Sequence, residues 1–198
     1  MNRSVIYQAA ALLLGYPDED LLTKLDLIED AVAGSGSAEH FAPLLAHLRA
    51  RPLLQAQAFH TAEFDWSRRH ALHLTYWTSG DTRRRGQALV AVKAAYTAAG
   101  FELAAGELPD YLPALLEFAV LEPDAGYQLL ESLRPAIELA RISLADDDLP
   151  HAGVLTAVCA TFPGESPATS ADVHRLMAAT AEPEAVGIDL LPLDLVRS

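Results

Sequence analysis

Along most of this chain apolar residues return at intervals of three and four, the spacing that gives a helix one buried face. Alternation of the strand type is hard to find. A first helix is predicted over about Arg3–Leu14, ended by Gly15 and Pro17. Asp18 then reads as an N-cap, and Leu21, Leu22, Leu25, Ile28, Glu29 and Val32 trace one face to a stop at Gly34–Gly36. Phe41, Leu44, Leu45 and Leu48 mark a short helix, and another begins after Pro52 and reaches Phe64. Within Ser67–Thr78, His70, His73, Leu74 and Trp77 fall at i, i+3, i+4 and i+7 of one helix face. Gly80 suits the position just past that helix. Asp81 can cap the next one, whose stripe is Leu89, Val92, Ala95, Tyr96 and Ala99.

Pro109 suits the first turn of a further helix with Leu112, Leu115, Leu116 and Ala119 inward. The stripe Leu129, Leu130, Leu133, Ala136, Ile137 and Ala140 runs across Pro135, which kinks or splits its helix. Asp146–Asp148 reads as a solvated turn, with Asp148 a candidate cap for a last core helix near His151–Thr161. Beyond Phe162 the chain is rich in Pro, Ser, Glu and Ala, with one weak helix at about Ala171–Ala181. The pattern predicts an all-α, single-domain bundle of about eight to nine helices over residues 1–162, followed by a loosely ordered tail over 163–198.

Composition narrows the function. Hydrophobic residues make up 51% of the 198, much of it Ala and Leu, which favour helix and exclude a disordered chain. With 14 Lys and Arg against 27 Asp and Glu, the net charge of −13 repels nucleic-acid phosphates and anionic membrane surfaces. Such a surface attracts a basic peptide, although acidity also serves plain solubility. The single cysteine, Cys159, lies in an apolar stretch as a small buried hydrophobe and forms neither a disulfide nor a Cys-rich metal site. No run approaches the ~20 apolar residues of a membrane span, and Met1–Leu14 lacks a signal-peptide cleavage pattern, so a cytoplasmic location is expected.

Candidate chemistry concentrates in Phe59–Gly86. Arg83, Arg84 and Arg85 fall in the first turn of a predicted helix, where each cation opposes the helix dipole by roughly 0.3–1 kcal/mol. Breaks of a local rule tend to mark functional or specially paired sites. Pairing with Glu63, Asp65 or Asp81 is the structural alternative. His70 and His73 could ligate a metal from one helix face, but no third ligand stands at a diagnostic spacing, so half-buried histidines flanking Trp77 are the better reading. Tyr76 and Trp77 add amphipathic area suited to an interaction surface or to the core. Downstream, Glu107 and Asp110 sit beside Pro109 and Pro113, placed either to grip a basic peptide or to brace the arginines. No phosphate-binding glycine loop, nucleophile elbow or HExxH is present, which favours a binding protein over an enzyme.

The run from His73 through Tyr76, Trp77, Gly80, Asp81 and the arginines to Gly86 resembles the central motif of respiratory nitrate reductase molybdenum cofactor assembly chaperones, also called delta subunits. Glu107–Phe118 resembles their second motif, and the likeness covers roughly Val5–Pro163. One position departs: the wider group of molybdoenzyme chaperones usually carries His where this chain has Tyr111, which does not ionise near neutral pH. The resemblance implies a helical chaperone, without catalytic residue, metal or cofactor of its own. It would bind the N-terminal segment of the apo catalytic subunit and hold it competent for cofactor insertion and membrane assembly. Cofactor-delivery proteins are a further class of partner. Tyr76, Asp81, Arg83, Arg85, Glu107, Pro109 and Asp110 fall on the motif positions, and His70, His73, Trp77 and Tyr111 complete the candidate client-binding set. The rivals are a sister chaperone for another molybdoenzyme and a small hydrolase or transferase using His70, His73 and Asp81. An enzyme predicts a deep pocket joining those three, and a chaperone an elongated groove.

Overall fold

The structure is a computed structural model that describes residues 2–80, 82–104 and 106–180. Among these, twelve α-helices follow in order: α1 (Arg3–Leu14), α2 (Glu19–Thr23), α3 (Leu25–Ala33), α4 (Ala38–Arg49), α5 (Leu53–His60), α6 (Leu74–Ser79), α7 (Arg83–Ala98), α8 (Leu112–Leu121), α9 (Pro123–Ser132), α10 (Arg134–Asp146), α11 (His151–Cys159) and α12 (Ser170–Thr180). A π-helical turn, Thr61–Asp65, continues α5, and a 3-10 turn spans Arg68–His70. The fold is all-α. No described helix is long and apolar enough to cross a membrane.

The count exceeds the eight or nine anticipated because several predicted helices split. The span after Asp18 breaks at Lys24, where the Thr23 hydroxyl donates back to the Asp20 carbonyl and competes with the helix ladder. Asp18 does cap α2, accepting from the Leu21 amide at 2.7 Å. The stripe across Pro135 divides into α9 and α10, the proline falling in the first turn of α10, where its missing amide costs nothing. Pro109 does not open α8; Pro113 occupies that place, and Pro109 lies in the turn before it. Asp148 caps nothing, since it takes a left-handed φ of 53° at the end of α10. The predicted Ser67–Thr78 helix is interrupted: Ala71 (ψ 127°) and His73 (ψ 103°) are extended, so His70 and His73 share no helix face.

At the centre α1 packs against α8 and α11, burying Ile6, Tyr7, Ala10, Leu13 and Leu14 against Leu112, Leu115, Leu116, Val154 and Leu155. Two glycines set how closely helices approach. A Cβ on Gly126 of α9 would stand 2.3 Å from the Ala119 Cα of α8, and one on Gly153 of α11 would stand 2.2 Å from the His40 carbonyl oxygen of α4. Beneath α11 lies a cluster of rings, with His151 stacked on Phe59 at 5.9 Å and edge-on to Phe64 at 4.8 Å. Nδ1 of His151 and Nε2 of His47 find no hydrogen-bond partner among the described residues. Burial, reinforced by His47, His60 and His70, pulls the His151 pKa down to about 3. Burial lowers those of His47 and His60 as well.

Two predictions follow from this packing. Gly126→Ala gains helix propensity of roughly 1 kcal/mol, yet its clash is with backbone and outweighs the gain. A net loss of about 1–3 kcal/mol is expected in chemical denaturation. For His151, the neutral form is the one the core accepts, so its contribution is intact above the unfolded pKa near 6.5 and is lost as pH falls below it. Melts at pH 7.5 and 5.5 should differ by about 1.4 kcal/mol more in the wild type than in His151→Phe.

Candidate functional site

The site is built on an exchange of backbone bonds between two distant segments. The Leu74 amide donates to the Asp110 carbonyl at 3.0 Å, and the Leu112 amide donates to the Leu72 carbonyl at 2.9 Å. Each segment thereby satisfies the first amide of the other's helix, α6 or α8, groups that otherwise have no intrahelical partner. His73 and Tyr111 face each other across this bridge with ring centroids 5.4 Å apart.

The Asp110 side chain locks the exchange. It is 0% exposed and accepts from His73 Nδ1 at 3.0 Å, from the Thr75 amide at 3.0 Å and from the Thr75 hydroxyl at 2.5 Å. Since His73 offers α6 no side-chain cap, Asp110 supplies it from 35 residues away in sequence. Arg85 adds its guanidinium, with Nε donating to the Thr75 hydroxyl at 3.3 Å and Nη2 standing 4.0 Å from the carboxylate. Burial pushes the Asp110 carboxyl up, but the bonds from His73 and Thr75 outweigh it and hold the group below its ordinary value. Asp110 is therefore a buried carboxylate that braces the arginine turn and presents nothing to a ligand.

Around this clasp the other candidate residues take different parts. His70 is 4% exposed and held between Glu63 (3.0 Å) and Asp147 (2.9 Å), so it ties the π-helical turn to the end of α10. The Trp77 indole donates to the Ala71 carbonyl at 2.8 Å. Tyr76 is half-buried on α6, Pro109 is buried beside Asp110, and Arg83 and Arg84 are exposed at the start of α7. Asp81 lies outside the described residues. His70 and His73 enter separate networks, and among the described residues no group of three His, Cys, Asp or Glu could hold a metal.

Glu107, exposed on the turn leading into α8, borders three cavities. One, of about 360 Å³, lies between the end of α1, α2 and the start of α8. It is lined by Leu12, Tyr16, Leu21 and Tyr111 together with the carboxylates of Asp18, Asp20, Glu107 and Glu117. The second, about 500 Å³, runs between α7 and residues 101–104 and 106–109 past Lys93, Tyr96 and Phe101. The third, about 150 Å³, joins them beside Glu117 and Phe118. Sharing lining residues at Glu107, Glu117 and Phe101, the three adjoin as a trough, whose first cavity has apolar walls and an acidic rim. Burial, reinforced by Asp65, Glu107 and Glu117, raises the Tyr111 pKa to about 12, so its phenol stays a hydrogen-bond donor.

Residues 31–157 match the family described as the nitrate reductase delta subunit. The chain belongs to that family. The match contains both segments of the Asp110 clasp and the α8 side of the trough. Among named relatives, the nitrate reductase molybdenum cofactor assembly chaperone NarJ of Escherichia coli K12 is 34% identical over 64% of this chain and 56% of its own length. A Bacillus subtilis protein carrying that chaperone name is 28% identical over 81% of this chain and 90% of its length. The nitrate reductase-like protein NarX of Mycobacterium tuberculosis is 35% identical over 79% of this chain, which spans only 24% of that protein. In fold, the chain superposes on a redox enzyme maturation protein from Archaeoglobus fulgidus with a TM-score of 0.61 and 21% identity, covering 81% of this chain and 93% of that one.

Tyr16, Asp18, Asp20 and Glu117 of the trough escape a reading of local pattern. Asp18 looks like a cap, Asp20 pairs with Lys24, and Glu117 looks like a solvated helix position. Tyr16 alone carries a signal, a large aromatic placed just past a helix-ending glycine and 53% exposed. The clasp and the rim separate by stability. Asp110→Ala should lose about 3 kcal/mol in denaturant unfolding, since it orphans buried donors. Glu107→Lys should stay within about 0.5 kcal/mol of wild type.

Proposed function

We propose that this delta-family chain is an assembly chaperone of respiratory nitrate reductase that binds the N-terminal segment of the apo catalytic subunit in the trough around Glu107. Bound there, the subunit is held competent for molybdenum cofactor insertion and for docking to its membrane partner. The protein is on this reading a binding protein and not an enzyme. The observation that carries the proposal is the shape and chemistry of the trough: three adjoining cavities, apolar walls from Leu12, Tyr16, Leu21 and Tyr111, and four carboxylates on one rim. The chaperone names of the Escherichia coli and Bacillus subtilis relatives support it.

An amphipathic segment with a basic flank suits this surface. Its apolar face covers the aromatic wall, which removes apolar area from water. Its Lys or Arg side chains meet Glu107 and Glu117. Tyr111, kept protonated, offers a hydrogen bond to a backbone carbonyl where an imidazole would carry a titratable charge. The clasp beneath fixes the rim before the client arrives, so little ordering cost falls on the chaperone.

The test is a calorimetric titration with a synthetic peptide of the catalytic subunit's N-terminus, against a scrambled peptide and a twin-arginine leader from another molybdoenzyme. Saturable binding of the first alone is expected. Glu107→Lys should weaken it by about tenfold, about 1.4 kcal/mol, with the wild-type affinity falling as salt rises. Unchanged affinity in Glu107→Lys would remove the trough from the mechanism. Selective binding of the leader would keep the chaperone class and change the client.

A further inference from the structure

Buried polar groups in a folded chain are nearly always hydrogen-bonded. Tyr7, deep in α1, keeps that rule, its hydroxyl lying 2.7 Å from the Thr161 hydroxyl. Tyr96 of α7 breaks it. The side chain is 4% exposed, yet its hydroxyl is sealed from solvent and has no hydrogen-bond partner among the described residues. Such a group costs free energy that the fold itself does not recover. The rest of the residue is firmly placed. Its ring packs on Phe118 at 4.6 Å, and its carbonyl accepts from the Phe101 amide at 2.9 Å. Tyr96 lines both the second and the third cavities of the trough, so the orphaned group belongs to a residue at a surface that a partner can enter.

What the hydroxyl is prepared to bind follows from its surroundings. Burial, reinforced by Asp110, Glu107 and Glu117, pushes its pKa up, so it keeps its proton and offers a donor. Those carboxylates repel a negatively charged acceptor. A lysine or arginine side chain has no acceptor for the proton, and it would meet Lys93, which lines the second cavity. A neutral acceptor remains. A segment lying across the trough keeps its main chain at the mouth, so a projecting side chain is what reaches a hydroxyl below the surface. The opposing wall gives it room to enter, since Phe101, Glu102 and Leu103 come from a stretch that belongs to no helix. Asn and Gln carry an acceptor and two donors on different atoms, so one side chain can serve the hydroxyl and a carboxylate together. Glu102 and Glu107, both exposed, line the same cavity.

We propose that Tyr96 is a specificity-determining residue of the trough, and that the second cavity receives an Asn or Gln side chain of the client segment whose carbonyl oxygen accepts from the Tyr96 hydroxyl. The inference rests on the chaperone reading above and narrows it. The amino group of the carboxamide donates to Glu102 or Glu107, and Lys93 turns away a basic residue. The first cavity, with its four carboxylates, takes the basic flank. The two halves thereby fix the direction in which the segment lies. A reversed segment sets its cations against Lys93 and leaves the hydroxyl orphaned. A site built to hydrogen-bond one group rejects the analogue that lacks it, because its own buried polar atom then stays unpaired.

The experiment is a double-mutant cycle by calorimetric titration. Wild type and Tyr96→Phe, both as full chains, are titrated with the synthetic N-terminal peptide of the catalytic subunit. Peptide variants follow in which each Asn in turn becomes Leu and each Gln becomes Met. Tyr96→Phe should melt no lower than wild type, because it removes a hydroxyl that makes no bond, and should bind the parent peptide about fivefold more weakly. One carboxamide substitution should weaken the wild type by a similar factor and leave Tyr96→Phe unaffected. Equal affinity of the two proteins for the parent peptide overturns the proposal, as does a lowered melting temperature in Tyr96→Phe, which assigns the hydroxyl a structural bond. If Tyr96→Phe binds weakly but every carboxamide substitution costs both proteins the same, the acceptor is a main-chain carbonyl and the carboxamide pocket is overturned. In each of these cases the client reading stands. Failure of both proteins to bind the parent peptide overturns the client reading and the pocket together.

Discussion

A carboxylate deprived of water remains ionised only where donors replace the water it has lost, and Asp110 is held by that requirement. Its three acceptor contacts all lead to one segment, His73 and Thr75, which has no cap of its own. The same residue's carbonyl takes the Leu74 amide, and Leu72 returns the favour to Leu112. Neither α6 nor α8 begins where its local sequence alone would start it. Each begins where the other segment can accept its first amides. The turn carrying Glu107, the ring of Tyr111 and the start of α7 with its arginines are all placed by that one arrangement.

This explains what could be read from sequence and what could not. Helices that own a continuous apolar stripe, such as α1, α4, α8 and α11, were legible because the stripe and the buried face are the same residues. The reading failed at Ser67–Thr78, where the i, i+3, i+4, i+7 pattern is real but Ala71–His73 are drawn into extended pairing with a segment near Asp110. Local periodicity carries no information about a partner that far away. The Lys24 break is different in kind, since its cause, the Thr23 back-bond, is local and weak enough for the pattern to hide it. Gly126 and Gly153 sit inside helices because a neighbouring backbone occupies the place of a side chain, which no local pattern announces.

The candidate site divides along the same line. Glu107, Asp110, Tyr111 and Arg85 were legible as a group, though the roles of Glu107 and Asp110 separate only in three dimensions: one exposed on a rim, the other sealed beneath it. The far wall comes from Tyr16, Asp18 and Asp20, which precede Glu107 by nearly ninety residues. Each has an adequate local explanation, so nothing in the sequence demanded a second one.

Charge then decides what kind of site this is. His70 spends Glu63 and Asp147, and Glu138 is neutralised by Arg134 and Arg141, so the acidic residues nearest the core are already matched. Among the described residues neither Glu107 nor Glu117 on the trough rim is matched in this way, and both are exposed where a cationic ligand can reach them. Groups with the chemistry of a nucleophile or base stand elsewhere: burial seals Cys159 and raises its pKa, and His151 is held neutral within the ring cluster. A catalyst needs a reactive group that its substrate can reach. Here Cys159 and His151 are sealed away, the phenol of Tyr111 stays protonated, and the reachable surface offers carboxylates, phenols and apolar walls, the materials for holding a basic amphipathic chain.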